Sequence, residues 1–498
     1  MTQDPSPLST IAMFGKRDEI WPVAALLAKN LPGRIRLTII EDPGEPAPPG
    51  ALTLACDNPF HECIGVTVRD LVRHCNGTLG LGTDHRDWHG EGGRFFAAPS
   101  GTVPAINGIA LHHIMLRAAS MYEEPEKLAH LLEPFRFAAR AALAGKFSFP
   151  TDDRGSPLTM LGPTVQCDRT AYAAFLKDRF PASAAQIFEA SPVGADIDSD
   201  EGYIRSVGLA DGRAITADFF VDVSGALSGV LPEECTPDAQ RLTDILAFDR
   251  VLSGRGGEAR PDHSHTVAKA LPGGLSIATP LGDGAVSELL FTSGAMDEAV
   301  AQRLVASSAE SRPFEPRITD APWTGNLARL GSAAVRFGPH QSADMRLLHE
   351  QALHLVRCLP ATRRMDIEAT EFNRKQARSA EQIRDFLLLP LVLNGRNDAP
   401  WAGMREAALP ETLAIRLEQF RSRGRFVTFD NEQFDRQTWI DMMIGFGVVP
   451  ERYDPAAQSI DMRHVQPVLK RMVDAFTQAI DYMPDLARYR QDFAEGTL

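Results

Sequence analysis

The strongest constraint on this chain lies in residues 11–41. Ile11 to Phe14 is an unbroken apolar run of strand length, Pro22 to Leu31 reads as a helix, and Arg36 to Ile40 is a second strand ending in Glu41. Dinucleotide-binding enzymes place G-x-G-x-x-G in such a strand–turn–helix–strand unit, with an acidic residue about 20 positions later for the ribose. Here the six positions are Gly15-Lys16-Arg17-Asp18-Glu19-Ile20, and only the first glycine is present. The frame of a nucleotide-binding fold is there without its usual contacts.

The segment Pro43 to Gly50 (PGEPAPPG) breaks the chain after the second strand. Leu52 to Ala55 reads as a short strand and Val66 to His74 as a helix, followed by the glycine-rich stretch Gly77 to Gly82. From Ile109 to Ala144 good helix formers dominate, and Pro125 and Pro134 divide them into separate helices. Ile204 to Leu209 and Ile215 to Val223 form a hairpin about Asp211-Gly212, closing on Asp222-Val223-Ser224-Gly225. A β-rich section runs from Ser276 to Thr292. A short strand follows Trp323 and ends at Gly331, and a helix runs through Arg346 to Leu359. Beyond about Met365 the pattern is mostly helical, with loops at Asn394 to Ala399 and Phe426 to Asn431. Strands interspersed with helices and followed by a helical tail give an α/β fold class.

Composition removes several functions. A net charge of −14 over 498 residues, with no long run of Lys or Arg, argues against a nucleic-acid surface. The polar opening Met1 to Thr10 lacks a secretory pattern, and no apolar stretch reaches the roughly 18 residues of a membrane span. Six cysteines in so long a chain do not make a disulfide scaffold, so a cytoplasmic location is expected. Cys56, Cys63 and Cys75 lie near His61, His74, His85 and His89. His85 and His89 have one half of a zinc-finger spacing, but the C-x2-C half is absent, and no metal site is expected.

Several blocks in order resemble the tryptophan-halogenase family of flavin-dependent enzymes. The opening unit resembles that family's G-G-G-T-A-G-W turn and helix, with Trp21 and Ala24-Ala25 in register. Asp211-Gly212 through Gly225 resembles its hairpin, with Asp218, Asp222 and Gly225 aligned. Trp323 to Pro360 resembles the segment W-x-x-N…G-D-A-A…P-L-E-S-T-G. Ile383-Arg384-Asp385-Phe386 and Asn394 to Trp401 resemble its C-terminal region. The resemblance implies a flavin-monooxygenase-like, Rossmann-type FAD-binding domain over residues 1–360 with inserted helical and β-rich segments, then a mainly helical region over 361–498.

In that family an FAD hydroperoxide oxidises halide, and the oxidant reaches a lysine and a glutamate beside an aromatic substrate. The resemblance assigns cofactor positions to Gly15, Arg17, Glu41, Gly331, Ser332 and Ala333, and catalytic positions to Thr78 and Gln341. Arg17 and Ile20 stand where the second and third glycines would, and Asp18 and Glu19 put two acids where an anionic ligand would gain from the helix dipole. Gly331-Ser332-Ala333 replaces G-D-A, exchanging a carboxylate for a weaker hydroxyl acceptor. Pro339-His340-Gln341-Ser342-Ala343-Asp344 replaces P-L-E-S-T-G, so a neutral amide takes the glutamate position. Asp344 brings negative charge to the halide side. Gly77-Thr78-Leu79-Gly80-Leu81 is the nearest match to F-K-L-G-I; no lysine occurs between Lys29 and Lys127, so a small shift in alignment does not restore it. Gly274 to Pro280 matches the family's W-x-W-x-I-P without either tryptophan.

The leading expectation is a family paralogue that keeps the scaffold, does not halogenate, and acts as a binding or partner protein. Its partner would be an active relative or a flavin reductase, with a homodimer possible. The alternative is an active FAD-dependent halogenase or monooxygenase on a tryptophan- or indole-like substrate, with Arg17 on the pyrophosphate and Glu41 on the ribose. In that alternative's absence Glu41 is an exposed strand-end acid. A third expectation is flavin-free acid–base chemistry at His112-His113 or at His340 with Asp344.

Overall fold

A computed structural model describes residues 6–45, 47–99, 104–198, 202–430 and 432–497. Asn431, at the end of one expected loop, and the first residues of the polar opening lie outside that set. The opening unit is present as β1 (Thr10–Lys16), α1 (Arg17–Asn30) and β2 (Arg36–Asp42), with β1 and β2 parallel from Thr10↔Arg36 to Lys16↔Asp42. α1 starts at Arg17, earlier than Pro22, and carries that proline inside it. Asp18 and Glu19 therefore sit in its first turn, where the helix dipole favours acids. Ile20, Trp21, Val23, Ala24, Leu26 and Leu27 bury the face that covers the sheet.

The sheet has six strands in the order Ala185–Glu189, β2, β1, β3 (Phe219–Asp222), β4 (Leu327–Arg329) and Trp323–Thr324, parallel except for the last pair. This corrects the hairpin expected up to Val223. Ile204–Leu209 pairs with Ala214–Thr216 around Gly212, whose φ of +87° suits glycine, but Phe219 to Asp222 departs into the parallel sheet. All four of its residues are buried, and only a sheet covered on both faces can bury such a run. Asp218 fixes the departure by accepting hydrogen bonds from the Ser9 and Thr10 amides and the Ser9 hydroxyl. The strand expected from Trp323 to Gly331 is likewise two short strands reversed at Gly325.

Two of the other sheets share one cavity. Ala51–Ala55, Thr164–Asp168 and Thr78–Gly80 form a three-stranded antiparallel sheet, so the glycine-rich stretch contains a strand. A seven-stranded sheet runs from Arg312–Pro313 through Arg250–Arg255, Ala285–Phe291, Gly274–Pro280 and Thr266–Leu271 to Thr83–Arg86 and Arg94–Ala97. Pro125 and Pro134 do divide the helical stretch after Ile109, each opening a 3-10 turn. The C-terminal part is helical from Asp366–Val392 onward, and one hydrophobic cluster extends from Leu8 to Leu486.

Glu41 holds the nucleotide-binding frame together. It is not exposed: at 1% exposure its carboxylate accepts from Arg17 Nε at 2.6 Å, Lys177 Nζ at 2.8 Å and Trp21 Nε1 at 2.9 Å. Burial alone would raise its pKa, but the hydrogen bonds from Lys177 and Arg17 outweigh that and hold it below the usual carboxylate range. Through it α1, β2 and α2 (Arg169–Asp178) become one unit. Glu41→Ala is expected to cost about 1–3 kcal/mol, because it leaves the buried Trp21 indole N–H without an acceptor, while Lys177 and Arg17 are exposed enough to rehydrate. Arg17→Ala should cost under about 1 kcal/mol, since that side chain is half exposed. Equal melting midpoints for wild type and Glu41→Ala would refute this assignment.

Candidate functional site

In an open parallel sheet, ligands bind beyond the carboxyl ends of the strands, where the order reverses. Here that point lies between β1 and β3. Gly15 is closely packed: a Cβ there would stand 3.2 Å from Val223 Cβ and 3.3 Å from Ile20 Cβ, so those neighbours would have to give way slightly. Ile20 itself is fully buried. The Lys16 amide donates to Ser224 Oγ at 2.7 Å, tying the turn after β1 to the segment after β3. Asp222 gathers the amides of Gly225, Ala226 and Leu227. Burial still pushes its pKa up to about 6.

The Gly331-Ser332-Ala333 turn follows β4 and faces α1. Glu19 reaches across to it: the Ser332 amide donates to Oε2 at 2.8 Å and the Ser332 hydroxyl to Oε1 at 2.8 Å. Gly331 has a φ of +54°, and its amide donates to Gln351 Oε1 at 2.7 Å. Ala333 is buried beneath, close to Gly225. Arg17, as already described, is turned to Glu41. The carboxylate opposite Ser332 is thus the chain's own. A signal for it existed in the sequence, since an acid at the helix start complements a serine in the G-S-A turn, but only topology brings the two together.

Of the two substrate-side positions, Gln341 lines a cavity under the seven-stranded sheet. Its wall includes Thr53, Thr83, Thr164, Thr266, Gln341 and Phe434. Gln341 and Ser342 are consecutive non-glycine residues in the left-handed region, with φ of 58° and 51°. Such backbone is sparsely populated and has to be held by its surroundings. One hold is the Thr53 amide, which donates to Ser342 Oγ at 2.7 Å. Thr78 lies opposite Gln166 in the three-stranded sheet, on the same face as Thr164, which lines the cavity. The structure therefore brings Thr78 to the sheet behind the wall and Gln341 onto it.

Both positions are uncharged, although the cavity wall also carries the Arg346 guanidinium, which stands over the Phe434 ring. Thr78 Oγ1 and Gln166 Oε1 are buried without a hydrogen-bond partner, while Gln166 Nε2 donates to Thr164 Oγ1 at 3.2 Å. His340 is 5% exposed, makes no hydrogen bond among the described residues, and is pushed down to about 4 by burial. The expected His340–Asp344 pair is not formed: Asp344 accepts from the Phe337 and Gly338 amides instead. His85, which sequence reading did not connect with this site, lies on the face of Thr83. Burial first, and then the nearby His340, lower it to about 3. His112 and His113 are elsewhere: His112 Nε2 meets the Gly424 carbonyl while its Nδ1 is buried without a partner, and His113 Nδ1 accepts from the Asp454 amide. Cys56, Cys63 and Cys75 are free thiols.

Acids at the crevice follow the opposite direction. Burial, then the neighbouring Asp18, push Glu19 up to about 8, and burial pushes Asp344 up to about 6. Glu19 ionises near 4.5 when unexceptionally exposed. Between that value and about 8 the folded chain keeps a proton that the unfolded chain has lost. The resulting stability is full below the unfolded value and is lost as pH rises through the folded one. The Glu19 contribution should therefore make the melting midpoint fall between about pH 4.5 and pH 8, and Glu19→Gln should flatten that slope and melt higher at the alkaline end. Identical pH slopes for the two proteins would show that Glu19 does not titrate this way.

With the geometry in hand, comparison with known proteins is specific. The family model described as tryptophan halogenase matches residues 11–462. Tryptophan 7-halogenase RebH of Lentzea aerocolonigenes is 22% identical, over 90% of this chain and 94% of that protein. Tryptophan 7-halogenase KtzQ of Kutzneria sp. is 22% identical over 99% and 100%. Among solved structures, BrvH, a flavin-dependent halogenase from Brevundimonas sp. BAL3, superposes with a TM-score of 0.87 at 24% identity, covering 98% of this chain and 99% of that one. Xcc4156, a flavin-dependent halogenase from Xanthomonas campestris, gives 0.87 at 20% identity, covering 98% of each. No helix among the described residues is long and apolar enough to cross a membrane. The match over nearly the whole chain and the shared fold place this protein in the tryptophan halogenase family.

Proposed function

We propose that this chain is a non-halogenating member of its family that acts as a binding or partner protein. The observation that carries the reading is the chemistry of the two reactive positions. Thr78 and Gln341 can neither carry a transferable oxidant on an amine nor take a proton from a substrate cation. Their neighbours do not substitute for them, because His340 and His85 are held neutral and lack a carboxylate partner. The crevice adds to this. A pyrophosphate there would face Asp18, Glu19 and Asp344 and find the Ser332 donors already used. These residues do not fit an anionic dinucleotide, and no chemical step is routed through FAD.

What remains is a cavity of hydroxyls, an amide, aromatic rings and one cation, with Phe386 and Phe434 stacked 3.7 Å apart at its edge and the Arg346 guanidinium over the Phe434 ring. Such a lining suits an uncharged aromatic molecule of indole-like shape. Protein partners in this reading are an active relative or a flavin reductase, and a homodimer is the simplest assembly. The alternative is an active FAD-dependent halogenase or monooxygenase. It draws on Lys16 and on the half-exposed Arg17 at the end of β1, which would have to leave Glu41 to meet a phosphate.

Purified protein supplied with FAD, a flavin reductase, NADH, bromide and indole should give no brominated product above the protein-free control by mass spectrometry. Indole alone should still raise the melting midpoint. Catalytic bromination would establish the alternative, and absence of any indole effect would remove the aromatic ligand from the reading.

A further inference from the structure

The crevice between β1 and β3 is bridged as well as stripped of glycines. Glu19 leaves the first turn of α1 on one side and ends on the Ser332 amide and hydroxyl on the other, spanning the carboxyl end of β3. The fit is close. A Cβ on Gly331 would come within 2.3 Å of Glu19 Oε2 and 2.6 Å of the Val223 carbonyl. The glycine at 331 is thus matched to the glutamate at 19 as well as to its own positive φ. Both flanks are also tied down, by the Lys16 amide on Ser224 and by Arg17 on Glu41. Arg169, whose charge is felt by Asp18, Glu19 and Asp344, is committed to Glu288 at 3.0 Å.

We propose that Glu19 is a built-in plug of this crevice, its carboxyl group standing between α1 and the Ser332 turn where a dinucleotide would have to lie. The proposal rests on the reading of the protein as one that does not use flavin, and it adds the physical cause. A carboxyl group is the side chain best able to satisfy both a backbone N–H and a hydroxyl while resting at the positive end of a helix dipole. Anion-binding donors therefore stay satisfied with no ligand at all, and the fold closes without one. Removing the plug should expose the Ser332 donors beside a left-handed glycine, an arrangement ready to accept an anionic group.

The test is titration of the full-length chain with FAD, read by quenching of flavin fluorescence, for wild type, Glu19→Gln and Glu19→Gly. Wild type and Glu19→Gln, which keeps the shape of the plug, should show no saturable binding at millimolar FAD. Glu19→Gly should bind at least about tenfold more tightly. Saturable binding by wild type would overturn the plug and the flavin-free reading together. Silence from a folded Glu19→Gly would overturn the plug alone and leave that reading standing. Hydrogen exchange on wild type supplies a second readout that does not depend on the variant folding. The Ser332 amide should exchange slowly without ligand, and FAD should add no protection over residues 15–21 or 329–335. Rapid exchange at Ser332, or protection by FAD, would each overturn the proposal.

Discussion

The first turn of α1 points unpaired backbone N–H groups and the positive end of a helix dipole into the one crevice that a parallel sheet of this topology creates. A charge or a hydrogen-bond acceptor has to answer them. In this chain Asp18 and Glu19 do so from within, and much else in the region follows from their choice. Glu19 needs donors opposite, which the Ser332 turn supplies. It needs room, which Gly331 supplies. Its burial next to Asp18 makes ionisation costly, so its pKa rises, whereas Glu41, one strand away, is surrounded by cations and stays charged. Two glutamates in one fold unit thus end in opposite protonation preferences because one is matched with neutral donors and the other with Arg17 and Lys177.

The frame of the fold was legible in the sequence because burial on both faces writes an unmistakable signal. Ile11 to Phe14, Arg36 to Ile40 and the helix between them are recognisable from residue type alone, and all appear in the structure. The errors have a common cause. Phe219 to Asp222 looked like the second arm of a hairpin because it follows a D-G turn, but its four buried residues belong to a sheet whose other strands lie far away in sequence. Thr78 to Gly80 lies in the glycine-rich stretch and carries no strand signal because glycine is a poor strand former; tertiary pairing with Thr164–Asp168 overrides that preference. Glu41 looked like a surface acid because its three partners come from residues 17, 21 and 177, and only the last is invisible to local reading.

The candidate site was less legible than the fold. Gln341 could be placed by its motif, and the structure puts it on the cavity wall. The nearness of His85 to His340, and of Glu19 to Ser332, depends on long-range packing that no spacing rule encodes. The strained pair Gln341-Ser342 was also out of reach, because neither residue type announces a positive φ as glycine does.

The crevice and the cavity are not independent features. One segment, Gly331 to Asp344, builds both. Its first turn holds Glu19, its carboxylate at 344 caps the Phe337 and Gly338 amides and feels the same Arg169, and Ser342 ties it to the strand carrying Thr53. Once the crevice is filled by an acid that resists ionisation, a glutamate at 341 would bring a further carboxylate to a segment that already contains the buried Asp344. Arg169, the nearby cation these acids share, is already paired with Glu288. A glutamine at 341 avoids that cost while keeping a hydrogen-bonding side chain on the wall. Crevice and cavity wall are thus two ends of one segment, and the charge carried at one end bears on the charge that the other can hold.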